Sequence, residues 1–225
     1  MKRSIVAGSA LLWSCVALAA APTPIPAPKV IDDFDDPSAW KLVLSDQVSG
    51  SLRPVAGANG GRALCLDYDF HEVSGHVGIR RALAVEYPVN YQFGFQLRGD
   101  SPANDLQFKL IDASGDNVWW VNRPGFSFPR AWTPVQYRKR HIDKAWGPSP
   151  ERELKRSAAM EFTIYSKVGG RGTVCFDRLT LQGLPAQDAS PLRPHVLADT
   201  ATALQDRMID GKPDTFWVSG GVKQQ

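Results

Sequence analysis

Apolar and polar residues alternate with a period of two along the middle of the chain, a pattern that indicates strands burying one face. In residues 63–70, every second residue from Leu64 to Phe70 is a leucine or an aromatic residue. Similar stretches are bounded by Gly, Pro, Asp and Ser, which favour turns. The pattern predicts strands at 63–70, 77–83, 91–97, 106–110, 117–122, 132–139, 159–165 and 173–181.

No segment has a convincing helical period. Residues 150–157 are the best candidate, and we expect them to form one short turn. Strands that follow one another through turns, without helices between them, argue against parallel βαβ units. The pattern therefore predicts an all-β fold, an antiparallel β-sandwich of about eight to nine strands.

The N-terminus has the layout of a secretory signal peptide. Lys2 and Arg3 precede an apolar run over residues 5–20, which ends in small residues. The run is shorter than the roughly 20 residues of a membrane-spanning helix, which favours a cleaved signal at 1–20 over a retained anchor. Residues 21–29 alternate proline with small residues and predict an extended linker. We expect an exported protein, periplasmic or extracellular.

Composition and charge narrow the function classes. Hydrophobic residues make up 43% of the chain and charged residues 22%, which indicates a globular protein. The formal charge is only +3, and the dense basic run at 138–141 falls on a predicted strand, where side chains alternate between faces. It therefore cannot form one stripe of phosphate contacts, and we expect no nucleic-acid partner.

The cysteines leave two interpretations open. Cys15 lies in the predicted signal peptide, so Cys65 and Cys175 remain. They either form a disulfide, as is common in exported proteins, or fill the core separately as small apolar side chains.

Four segments occur in the order and spacing of a known family. Residues 30–34 open the domain, residues 172–181 close it, and residues 66–70 and 109–116 lie between them. Together they resemble the galactose-binding-like jelly rolls that serve as carbohydrate-binding modules in bacterial secreted hydrolases. The resemblance covers residues 30–184 and implies a jelly-roll β-sandwich with a carbohydrate ligand.

The same resemblance implies a structural calcium ion that joins the first and last strands. Asp33 and Asp177 are the matching acidic positions, and carboxylate oxygens are ligands that calcium prefers. The alternative is that these aspartates cap strand ends or pair with Arg178.

A second proline-containing linker, residues 185–196, separates this domain from a short tail. Residues 197–225 contain the motif Asp-Gly-x-x-Asp-Thr-x-Trp, which resembles the opening of a discoidin domain. The resemblance implies a calcium-binding loop at Asp210, Asp214 and Thr215. The tail is too short for a domain of its own, so we expect an incomplete discoidin-like segment.

A sugar-binding surface needs aromatic faces flanked by polar groups that hydrogen-bond to hydroxyls. Trp119 and Trp120 are adjacent on a strand and must point to opposite faces, so only one of them belongs in the core. Trp146 follows in a loop-like setting and is a third candidate, whereas Trp132 is expected to be a core residue. The polar candidates lie on the non-core face of a strand or at strand ends: Gln107, Lys109, Arg98 and Arg123.

The sequence contains no motif of nucleophilic or zinc-dependent hydrolysis. Asp67 and Asp112 remain candidates for a glycosidase carboxylate pair. The function predicted is non-catalytic carbohydrate binding by the targeting module of an exported, modular glycan-active protein. Its ligand would be an oligo- or polysaccharide, and further domains or a partner enzyme are expected. The alternatives are a protein-docking module with no glycan ligand and a jelly-roll glycanase or lyase.

Overall fold

The computed structural model describes residues 24–186, which form twelve β-strands and two short 3-10 turns. The strands are β1 (Lys29–Asp32), β2 (Lys41–Leu44), β3 (Ser49–Ala56), β4 (Arg62–Asp69), β5 (Gly75–Glu86), β6 (Tyr91–Asp100), β7 (Asn104–Ile111), β8 (Val118–Phe126), β9 (Thr133–Arg138), β10 (Asp143–Trp146), β11 (Arg156–Ser166) and β12 (Arg171–Gly183). The 3-10 turns are Pro37–Ala39 and Lys139–His141. The predicted signal peptide at 1–20 and the discoidin-like segment at 197–225, with its Asp210, Asp214 and Thr215, lie outside the described residues. Within 24–186, no helix has the length and apolar character needed to cross a membrane.

The strands form two antiparallel sheets. Sheet A has the order β3-β4-β12-β6-β9, with β1 also paired to β12. Sheet B has the order β10-β8-β7-β11-β5-β2. The predicted all-β antiparallel sandwich is therefore confirmed.

Phenylalanines from both sheets hold the sandwich together. Phe162 of β11 lies 4.5 Å from Phe176 of β12 and 5.0 Å from Phe95 of β6, measured between ring centroids. Phe108 of β7 lies 4.9 Å from both Phe162 and Phe93. All of these rings are buried. Residues that alternate with them along the strands must therefore point to the outside of each sheet.

Twelve strands are found where about eight to nine were predicted. The additional ones are β1, β2, β3 and β10, and each pairs with a single neighbouring strand. An edge strand is only partly covered, so its sequence does not need a clean alternation. The expected helical turn within 150–157 is wrong, because residues 150–155 are irregular and β11 begins at Arg156.

Cys65 and Cys175 form a disulfide between β4 and β12. The two residues face each other directly in the register of these strands. Their neighbours Leu64, Leu66 and Phe176 are core residues, so the disulfide lies on the outer side of sheet A. The structure thus selects the first of the two interpretations that the sequence left open.

Candidate functional site on the outer face of sheet B

One row of side chains crosses all six strands of sheet B. Each member lies opposite the next in the strand register, and directly opposed residues share a face of the sheet. The row, which we call the central row, consists of Lys41, Arg80, Glu161, Lys109, Trp120 and Asp143. Five gaps of about 4.8 Å between strands give it a length of about 24 Å. We call the outer side of this sheet the B face.

Glu161 is the most deeply buried residue of the central row. Its side chain is only 1% exposed, and both of its carboxylate oxygens accept hydrogen bonds. Lys109 Nζ donates to Oε1 over 2.8 Å and Thr163 Oγ1 donates to the same oxygen over 2.6 Å. Arg80 Nε and Arg80 Nη2 each lie 2.6 Å from Oε2. Both oxygens of this carboxylate are therefore already hydrogen-bonded within the domain.

These contacts determine the charge of Glu161. Burial by itself would raise the pKa of the carboxyl, but the contacts from Lys109, Thr163 and Arg80 together lower the pKa below its usual 4.5. The group is ionised at neutral pH and is no proton donor there. Its chemical effect is to hold the side chains of Lys109 and Arg80 in place.

Two tryptophans form an aromatic corner at one end of the row. The rings of Trp120 and Trp146 lie 5.5 Å apart at 84°, an edge-to-face arrangement. Trp146 is 48% exposed, and Lys109 Nζ lies 5.9 Å from the centre of its ring. The corner therefore presents an open aromatic face beside a cation.

The backbone after β10 fixes the position of Trp146. Gly147 has a φ of +117°, a conformation that suits glycine. A Cβ atom built there would lie 2.6 Å from the Cα of Asn117. The Asn117 side chain also accepts a hydrogen bond from the backbone N–H of Ser149 over 2.8 Å.

Two amides flank the central row in the neighbouring register position. Gln107 lies opposite Asn122, and both alternate with core residues of β7 and β8. The Oδ1 atom of Asn122 is buried and has no hydrogen-bond partner among residues 24–186. Such an atom is an acceptor that a buried water molecule would satisfy.

His76 and Tyr165 face each other further along the B face. Burial lowers the pKa of His76, the charge of Lys109 lowers it further, and Glu161 opposes this shift. The imidazole is therefore neutral at pH 7. The hydroxyl of Tyr165 lies 3.3 Å from Ser74 Oγ, so this end of the face offers neutral polar groups.

Four of the seven predicted ligand-binding residues come together on this face: Trp120, Trp146, Gln107 and Lys109. Trp119 does not, because its side chain lies in the core, 4% exposed, and its Nε1 donates to the Arg152 carbonyl over 2.8 Å. This agrees with the expectation that only one tryptophan of the adjacent pair points outward.

The two remaining arginines lie elsewhere. Arg98 is on the outer face of sheet A, where its guanidinium lies 4.8 Å from the ring centre of Trp132. Trp132 was expected in the core and is instead partly exposed there. Arg123 follows Asn122 and so points away from the B face. Its guanidinium lies 5.8 Å from the ring of Phe126.

Sequence reasoning missed Lys41, Arg80, Glu161, Asn122, His76 and Tyr165. The signal for Glu161 and Tyr165 was present, because they alternate with Met160, Phe162 and Ile164 on a predicted strand. Nothing local indicates which partners they meet across the sheet.

The candidate carboxylate pair of a glycosidase is not assembled. Asp67 lies on the outer face of sheet A, where Arg53 donates to both of its oxygens over 3.1 and 3.2 Å. Asp112 follows β7 of sheet B and caps a turn by accepting hydrogen bonds from Ser114 and Asn117. The two carboxylates thus serve separate structural roles on different sheets.

Asp177 and Asp33, the predicted calcium ligands, differ in their surroundings. Asp177 is buried, and its Oδ2 accepts a hydrogen bond from the backbone N–H of Ala58 over 2.7 Å. Burial raises its pKa, and the nearby charge of Asp35 adds to the effect. Asp33 is exposed and accepts from the N–H of Asp35. Within the described part of the chain, no three His, Cys, Asp or Glu side chains converge as a metal site.

Comparison with known proteins identifies the fold. No family model and no curated protein matches the sequence. A family 11 carbohydrate-binding module of a cellulosomal cellulase of Clostridium thermocellum matches the structure with a TM-score of 0.57 and 16% identity, covering 70% of this chain and 95% of that chain. A family 11 module of the same organism, in complex with a β-1,3-1,4-mixed-linked tetrasaccharide, gives 0.57 and 17%, covering 69% and 95%. The fold is therefore the jelly-roll β-sandwich of carbohydrate-binding modules.

Proposed function

We propose that this protein binds an oligo- or polysaccharide on the B face without catalysing its cleavage. The observation that carries the proposal is the aromatic corner of Trp120 and Trp146 at the end of the central row. Indole faces stack on the C–H groups of a pyranose ring. The same face carries Gln107 in the neighbouring register position and the half-exposed Arg80 on the central row, whose N–H groups are suited to bonding sugar hydroxyls.

The known structures with this fold support the proposal. One of them is a carbohydrate-binding module in complex with a mixed-linked tetrasaccharide. The central row of about 24 Å is long enough for a chain of several sugar units, lying across the strands.

The non-catalytic part of the proposal follows from the state of the carboxylates. Glu161 is ionised, buried and hydrogen-bonded through both oxygens within the domain, so it is suited neither to protonating a leaving group nor to activating water. A retaining or inverting glycosidase needs two carboxyl groups flanking one bond, and Asp67 and Asp112 lie on different sheets.

We further propose that the protein is exported and serves as the targeting module of a modular glycan-active protein. The disulfide between Cys65 and Cys175 supports export, because such bonds persist in oxidising compartments. The signal-peptide pattern at residues 1–20 supports it independently.

A titration of the purified chain against soluble oligosaccharides tests the binding function. We expect Trp120→Ala and Trp146→Ala each to weaken binding about tenfold or more, since aromatic anchors dominate such interfaces. Trp132→Ala is the matched control, because this tryptophan lies on the outer side of sheet A and its loss should leave affinity unchanged. Absence of binding to every glycan by a folded protein would exclude the proposed function and favour a protein-docking role.

We also propose a structural calcium ion at Asp177, with Asp35 as the second carboxylate in place of Asp33. Hard carboxylate and backbone oxygens suit calcium. Asp177 and Asp35 meet the same loop, where the backbone N–H groups of Ala58 and Arg62 donate to them over 2.7 Å each. Calcium at a hundred times its Kd should stabilise the fold by about 2.7 kcal/mol. The measurement is thermal unfolding in calcium and in chelator. Asp177→Asn should abolish the difference in thermal stability between the two buffers, whereas Asp46→Asn, at an exposed position, should keep it. Equal stability of the wild type in both buffers would exclude the calcium site.

A further inference from the structure

We propose that the B face selects an anionic glycan, one that carries uronic acid carboxylates, over a neutral one. The inference rests on the proposed function and names the class of ligand for the same site. It follows from the hydrogen-bonding capacity and the charge of the central row.

The central row offers donors to a ligand and few acceptors. Both oxygens of Glu161 are occupied by Lys109, Thr163 and Arg80. Arg80 Nε donates one hydrogen bond to Oε2, Nη2 lies 2.6 Å from the same oxygen, and the side chain is 47% exposed. Its other N–H groups therefore reach solvent on the B face.

The charges along the row are unbalanced over four adjacent strands. Lys41, Arg80 and Lys109 supply three cations from β2, β5 and β7, and Glu161 of β11 is the one carboxylate among them. Asp143 lies beyond Trp120 at the far end of the row. This stretch of the central row is consequently positive at neutral pH.

A carboxylate is the acceptor that matches such a surface. Hydrogen bonds from guanidinium or ammonium groups to a carboxylate are roughly twice as strong as bonds between neutral groups. A hexose without a carboxyl group presents only hydroxyls to Arg80. A uronic acid in the same position adds a charged acceptor. Three gaps of about 4.8 Å between strands separate Arg80 from Trp120, so another sugar unit of the same chain would stack on the aromatic corner.

The test compares each acidic polymer with its own neutral derivative. Sodium polygalacturonate and alginate are titrated alongside the same polymers after reduction of their carboxyl groups to alcohols, which preserves the linkages. We expect at least one acidic polymer to bind about tenfold more tightly than its reduced form. This preference should shrink as sodium chloride rises to 1 M, where the screening length is about 3 Å.

Variants then locate the effect. Arg80→Gln should reduce the preference for the acidic polymer about tenfold. If this variant does not fold, Lys41→Gln, a change at an exposed position of an edge strand, replaces it and should also reduce the preference. Arg98→Gln makes the same charge change on sheet A and should leave the preference unchanged. A preference that falls equally with Arg98→Gln would show general attraction to a polyanion and would overturn the inference.

The remaining outcomes separate this inference from the proposed function. Tryptophan-dependent binding of neutral glycans, with no preference for any acidic polymer, would refute the anionic selectivity and leave carbohydrate binding intact. Failure of acidic and neutral glycans alike would refute both.

Discussion

Replacing Glu161 with glutamine should destabilise the fold far more than an ordinary loss of surface charge. The side chain keeps its size, but the new amide nitrogen or the uncharged oxygen must face the donors of Lys109, Thr163 and Arg80. Lys109, 12% exposed, would be left as a nearly buried cation without a carboxylate. Breaking a buried ion pair in this way typically costs 3–5 kcal/mol.

The magnitude expected here lies at the lower end of that range. The contribution of Arg80 is discounted, because its side chain is 47% exposed and a solvent-screened pair is worth at most about 1 kcal/mol. Glutamine also retains one oxygen that can accept from Thr163. We therefore expect a loss of about 3 kcal/mol in the free energy of unfolding at pH 7.

Urea unfolding followed by tryptophan fluorescence, with the disulfide intact, measures this loss. Glu153→Gln is the matched control, since Glu153 pairs with Lys139 at the surface and its loss should cost less than about 1 kcal/mol. The double variant Glu161→Leu/Lys109→Met removes both members of the buried pair and leaves only the half-exposed Arg80 without its carboxylate, so it should be more stable than Glu161→Leu alone.

The pH dependence supplies a second check on the same reasoning. The folded pKa of Glu161 lies below its unfolded value of 4.5, so the unfolded chain binds this proton more readily. The stabilisation is therefore complete above pH 4.5 and is lost as pH falls through the lower folded pKa. The difference in free energy of unfolding between the wild type and Glu161→Gln should therefore decrease as the pH falls below 4.5. A gap no larger than that of Glu153→Gln at pH 7, or one independent of pH, would refute the assignment.

Two further predictions concern the supports of the fold and of the aromatic corner. The Cys65–Cys175 disulfide closes a loop with a sequence separation of 110, and the chain-entropy relation gives about 4.8 kcal/mol of stabilisation for a loop of this length. The Cys65→Ala/Cys175→Ala variant should therefore lose about 2–5 kcal/mol in its free energy of unfolding, measured in urea. An unchanged urea midpoint would contradict this prediction. In Gly147→Ala, the new Cβ atom would collide with the backbone of Asn117, so this variant should lower both thermal stability and glycan affinity. Gly115→Ala is the control, because Gly115 also has a positive φ but has open space around it. It should cost about 1–2 kcal/mol of stability and leave glycan affinity unchanged.

The inward or outward direction of a side chain was predictable because it depends on a period of two within one strand. Gln107 and Lys109 alternate with Phe108, and the adjacent pair Trp119 and Trp120 had to divide between core and surface. The structure places them accordingly. Local alternation thus located much of the candidate face on two neighbouring strands.

The same rule cannot say which sheet an outward residue belongs to. Arg98 and Lys109 both point away from the core, yet β6 lies in sheet A and β7 in sheet B. Glu161 is separated from Lys109 by 52 residues and from Arg80 by 81, so the central row exists only once distant strands have paired. Its register is set by packing of the whole sandwich and not by any short segment.

The two outer faces differ in how their tryptophans are arranged. On sheet A, the Arg98 guanidinium lies 4.8 Å from the ring centre of Trp132, so a ligand that stacks on this side of the ring would have to displace it, which offsets part of the binding energy gained. On the B face, Trp120 and Trp146 form an edge-to-face pair, and Trp146 is 48% exposed. A sugar that stacks on the exposed part of Trp146 leaves this pair in place, and this difference is the physical reason for proposing the glycan site on sheet B.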